Sequence, residues 1–107
     1  MKFIESKYFL KQLEQLSWKY NRIYEDFSEF KEIFNPQYST HLWEWIYKER
    51  FKNSSIPIWK RWWLRFIVKV YWDKVVPLLV YSKNIQTNVS KDEINEALSN
   101  TIKELSK

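Results

Sequence analysis

The chain contains no glycine in 107 residues. Glycine is the residue of choice for the left-handed angles of two-residue hairpin turns. It also lets backbone amides close on phosphate in nucleotide-binding loops. Neither the dinucleotide fingerprint nor a P-loop can be written in this sequence. A chain without the best hairpin residue is expected to fold from helices, closed by asparagine at left-handed positions. Asn35, Asn53, Asn84 and Asn88 stand where the apolar periodicity breaks.

The periodicity itself reads as helical. Apolar side chains at 13, 16, 20, 23, 27, 30 and 34 alternate steps of three and four, the seam of one buried helix face. This predicts one long or bent helix over about 2–34, ended by Asn35-Pro36 because the residue before proline resists the α region. A second helix is expected over about 40–52, capped by Ser39 or Thr40. A third is expected over about 56–75, with Ser54 or Ser55 as cap and Pro57 in its first turn. Pro77 bars its continuation, and 77–82 reads as a further short helix. Ser90 and Glu93 form a capping box that opens the last helix, 90–106. The expected architecture is a single all-α domain, a compact bundle of four to five helices. Tyr20, Tyr24, Phe27, Phe30 and Phe34 are its candidate core, each ring contributing roughly 1.5–3 kcal/mol when buried.

Net charge is +5, and aromatic residues make up 20% of the chain. The whole excess lies in residues 41–74, which hold eight basic and three acidic side chains. Within "IPIWKRWWLRFIVKVYW", Arg61, Arg65 and Lys69 recur every four residues, flanked by Lys60. On a helix they form one stripe, with Trp62 at its edge and Trp72 one turn on. Trp59, Trp63, Phe66, Ile67 and Val70 form the opposite, core-facing side. Trp62 and Trp72 are therefore expected to be more exposed than Trp59 and Trp63. Guanidinium forks match phosphate, and edge tryptophans stack on bases. The expected partner is nucleic acid or a nucleotide, met by Lys60, Arg61, Trp62, Arg65, Lys69 and Trp72, with Arg50, Lys52 and His41 nearby. A solvated helix face is the plainer reading of the same stripe. An interfacial helix on an anionic membrane is a third.

Other chemistry finds little support. There is no cysteine, which excludes disulfides, zinc fingers and thiol catalysis. His41 is the only histidine, and no triad assembles around it. His41 and Glu44 have a metal-ligand spacing that reads as accidental, and His41 as a capping or partly buried residue. Glu25, Glu29 and Glu32, with Asp26 beside them, read as a solvated acidic face that could meet the basic helix of a second copy. No cofactor and no catalysis are expected. No apolar run approaches the roughly 18 residues of a membrane span, and the N-terminus lacks a signal-peptide pattern, so a cytoplasmic protein is expected.

The segment "WEWIYKERFKNSSIPIWKRWWLRFIVKVY", followed by "SKDEINEALSNTIKEL", resembles the helical accessory subunit of archaeal primases (PriX). More distantly it resembles the C-terminal domain of the primase large subunit. The likeness covers about residues 41–106. It implies helical binding of DNA or an initiating nucleotide, with Arg61 and Arg65 on phosphates and Trp62 or Trp63 stacking. The turn differs: Ile58, Trp59 and Lys60 stand before Arg61 where the family has Asp-Gly. The expected function is a small accessory protein in DNA replication or priming. The alternative is a protein-interaction, inhibitor or immunity module that uses the aromatic-basic surface as its hot spot.

Overall fold

The computed structural model describes residues 1–57, 59, 63–86 and 88–106. The chain runs β1 (Lys2–Phe3), α1 (Lys7–Ser17), α2 (Ile23–Ile33), a short 3-10 turn (Pro36–Tyr38), β2 (Thr40–Trp43), β3 (Ile46–Phe51), β4 (Leu64–Tyr71), β5 (Lys74–Ser82) and α3 (Lys91–Leu105). This is a mixed α/β fold, which corrects the expected all-α helical bundle. The five-stranded sheet has the order β1-β5-β4-β3-β2. β2 to β5 form an antiparallel meander, and β1 returns parallel to β5.

Among the described residues of 40–82, which exclude 58 and 60–62, the helical reading fails for two physical reasons. First, β4 and β5 are dense in valine, isoleucine and tyrosine, side chains that fit a pleated surface and lose rotamer freedom in a helix. Second, the hairpins close without glycine. Glu44 and Trp45 take φ of 40° and 67° in the β2–β3 turn, and Trp72 takes 56° in the β4–β5 turn. Pro77 does not bound a helix; it lies inside β5 opposite Val68, where the register shifts and a missing N–H is tolerated.

The first seam marks the core in part, with Leu16 and Phe34 only partly buried, and is interrupted. Leu13, Tyr20, Ile23, Phe27 and Phe30 are all buried, yet residues 18–22 form a turn between α1 and α2. The turn swings Tyr20 inward, where its hydroxyl donates to Asn84 Oδ1 at 2.7 Å and lies 3.1 Å from Ser82 Oγ. Tyr24 points outward instead and is half exposed. Ser54 and Ser55 open no helix. They dock on the first turn of α2: Ser54 donates through its N–H (2.9 Å) and its hydroxyl to the buried Asp26 carboxylate, and Ser55 Oγ accepts from the Arg22 N–H at 2.9 Å.

α1 and α2 cover one face of the sheet. There Phe30 stacks on Phe66 with centroids 4.2 Å apart, and Phe9, Leu13, Phe27, Leu64, Val68 and Val75 complete the core. α3 covers the other face through Ile94 and Ala97, which meet Ile46, Ile67, Val76 and Leu78. Its capping box closes as expected: Ser90 Oγ accepts from the Glu93 N–H at 3.1 Å, and Glu93 accepts from the Ser90 N–H at 3.2 Å. Glu104, near the other end of α3, accepts from the N–H groups of Lys7 (2.6 Å) and Tyr8 (3.1 Å) and so caps α1. The outer edge of β5 beyond β1 is closed by a side chain. The Gln12 amide donates to the Leu78 carbonyl at 3.0 Å and accepts from the Val80 N–H at 3.1 Å, standing in for a strand peptide.

Candidate functional site

Strand alternation builds the site. Lys48 and Arg50, two apart on β3, point to one face of the sheet. The register sets Arg50 beside Arg65 on β4, and Arg65 beside Tyr81 on β5; Thr40 on β2 pairs with Lys48. Lys83 follows β5, its N–H donating to the Trp63 carbonyl at 3.3 Å. Together Lys48, Arg50, Arg65 and Lys83 line a cavity of about 560 Å³ with Glu49, Tyr38, Thr40 and Asn88.

The electrostatics are one-sided. Four cations face one carboxylate, and Glu49 already accepts a hydrogen bond from the Ser39 hydroxyl. The ion pairs among the described residues are Arg22–Glu25, Lys31–Glu5 and Lys52–Glu29, so none neutralises the cavity. Like charges directly across a ladder destabilise it, yet Arg50 and Arg65 are direct partners. Arg65 is only 5% exposed, and its buried Nη1 has no hydrogen-bond partner among the described residues. Burial, and then the Arg50 charge, lower its pKa, against a smaller opposing effect of Tyr81. Tyr81, 6% exposed, is shifted upward: burial dominates, Arg65 opposes it and the Glu93 carboxylate adds to it.

Of the residues singled out in the sequence, the cavity gathers Arg50 and Arg65. Lys60, Arg61 and Trp62 lie outside the described residues. Lys69 shares the face of Arg65, but lies four residues along β4 with its ammonium 5.1 Å from the Tyr71 ring centroid. Trp72 is in the turn at the far end of β4. Lys52 is bound to Glu29 at 3.0 Å. His41 pairs with Tyr47 on the opposite face from Lys48, its ring 5.1 Å from the tyrosine's. Among the described residues no group of three histidines or carboxylates could hold a metal ion.

The tryptophan division is corrected in part. Trp72 is 95% exposed, but Trp59 at 75% and Trp63 at 45% are not core residues. Phe66 and Val70 face α1 and α2, whereas Ile67 faces α3. Lys48, Tyr81, Lys83 and Asn88 were missed. Their signal was the period-two placing of Lys48 and Arg50 and the β-branched content of 64–82.

No family model matches the chain, and no curated protein is detectably similar in sequence. No helix among the described residues is long and apolar enough to cross a membrane.

Proposed function

We propose that the chain binds nucleic acid or a nucleotide through phosphate groups seated in the Lys48–Arg50–Arg65–Lys83 cavity, as a small accessory protein in the cytoplasm. The observation that carries this reading is Arg65, a buried guanidinium with an unpaired nitrogen, set against a second arginine. Burying an unpaired charge is costly, and an arriving phosphate removes that cost. It supplies acceptor oxygens to the guanidinium fork and a counter-charge to Arg50, Lys48 and Lys83. The helices implied by the primase resemblance over 41–82 are replaced by strands β2 to β5, so the cavity is the support for this reading and replication is proposed only as its setting. The test is titration of labelled single- and double-stranded DNA and RNA against wild type and Arg65→Met. Loss of binding in the variant supports the proposal, and unchanged binding defeats it.

A further inference from the structure

At the opposite end of the sheet the β2–β3 and β4–β5 turns enclose a second cleft, of about 400 Å³, lined by Trp45, Val70, Tyr71 and Trp72. Trp45 is 64% exposed and Trp72 95%. Both occupy left-handed backbone, with φ of 67° and 56°, where a bulky residue is disfavoured and asparagine or aspartate is preferred. Strained positions of this kind gather at binding sites. No ring contact joins Trp45, Tyr71 and Trp72 among the described residues, so the indole faces are open.

We infer that this cleft stacks an unpaired base of a single-stranded nucleic acid. The inference rests on the proposed phosphate site and adds a second contact point to it. Open indoles are a sequence-tolerant platform for bases. The Lys69 ammonium, 5.1 Å from the Tyr71 ring centroid, decides the charge of the occupant. It repels a second cation from this wall, which argues against a methylated-ammonium ligand, and it attracts the phosphate that accompanies a base. Glu44 and Asp73, beside the two tryptophans in the turns, carry the same sign of charge as a phosphate, so it is the uncharged base, with its phosphate held on the Lys69 side, that enters between the indoles.

From Arg65 to Tyr71 is six residues of strand, about 20 Å at 3.3 Å per residue. A strand anchored at Arg65 must cover at least that distance, since α3 covers Ile67 between the two sites, before a base reaches the tryptophans. At a stacked rise of about 3.4 Å, this takes roughly six nucleotides.

The experiment is a length series of labelled homopyrimidine strands, from about 3 to about 12 nucleotides, spanning that threshold. It uses wild type, Trp45→Ala/Trp72→Ala, and Trp72→Asn, which suits the left-handed turn and guards against misfolding of the double variant. Wild-type affinity is expected to step up by about 5- to 100-fold once the strand spans both sites. The step shrinks in Trp72→Asn and vanishes in the double variant, while short strands bind all three proteins equally. Equal length profiles in wild type and both variants overturn the inference. If Arg65→Met still loses binding in that case, the phosphate site stands without the second one. Anionic vesicles that bind wild type but not the tryptophan variants, with no length step, also overturn it in favour of a membrane.

Discussion

Arg65 carries the functional reading at the scale of one residue, and its burial makes a prediction opposite to that for a structural side chain. A buried charge without a counter-ion is replaced at a gain by an apolar group of similar length. Arg65→Met is expected to raise stability by about 1–4 kcal/mol while abolishing phosphate binding; urea titration and anion titration on the same protein check the two halves. A residue retained for packing would lose stability. Tyr81 adds a pH test. Its folded-state pKa lies above the ordinary phenol value, so the folded state holds the proton more tightly. That contribution is complete below the ordinary phenol value and is lost as pH rises from there through the raised folded-state value. Thermal melts are expected to fall on the alkaline side, and Tyr81→Phe to flatten that limb. Arg65 was legible in the sequence for a reason independent of the helix assumed. A spacing of four returns a side chain to the same side on a helix and on a strand alike. Lys48 was legible only through its period-two placing with Arg50, and Lys83 was not legible, because the fold alone brings it beside Arg65.

At the scale of elements, the turns and the last helix show what local sequence can and cannot specify. The capping box at Ser90 and Glu93 is a local device, and α3 forms where it places it. Ser90→Ala is expected to cost about 1 kcal/mol, read as a lower urea midpoint at unchanged slope. The folded-state pKa of Glu93 is lowered, chiefly by the Ser90 backbone N–H and then by Gln86. Its contribution is present above the ordinary carboxylate range and lost as pH falls through the lowered value. The β4–β5 turn has no such signature, because Trp72 occupies a left-handed position that asparagine or glycine would advertise. Trp72→Asn relieves roughly 1–2 kcal/mol of backbone cost and gives up little burial. The variant is expected to melt higher than wild type; a lower Tm would show that the indole has a structural role. Reading the absence of glycine as an absence of hairpins was therefore the main source of error over 40–82. The seam at 13–34 marks Leu13, Tyr20, Ile23, Phe27 and Phe30 as buried but not the outward turn of Tyr24, and it could not reveal the break at 18–22. That break depends on Tyr20 reaching Ser82 and Asn84, more than sixty residues away in the chain.

On the scale of the molecule, the sheet separates two kinds of work. α1 and α2 bury the phenylalanine core on one face, and α3 covers part of the other. Lys48 and Arg50 of β3, Arg65 of β4 and Lys83 after β5 are gathered around one cavity. The net charge of +5 thus has a structural focus, where a helical stripe would have spread it along a surface. Arg22, Lys31 and Lys52 are neutralised by Glu25, Glu5 and Glu29, whereas the four cations of the cavity face the single carboxylate of Glu49. Each single-strand phosphate seated there contributes about 0.7 to the slope of log affinity against log salt. The most direct test of this account is that slope, measured for a single-stranded oligonucleotide with wild type and with Arg50→Met/Arg65→Met. The account predicts salt-dependent binding with a slope of about −2 to −3, and a shallower slope with much weaker affinity in the variant. No binding at low salt, or binding equally strong and equally salt-dependent in both proteins, would contradict it.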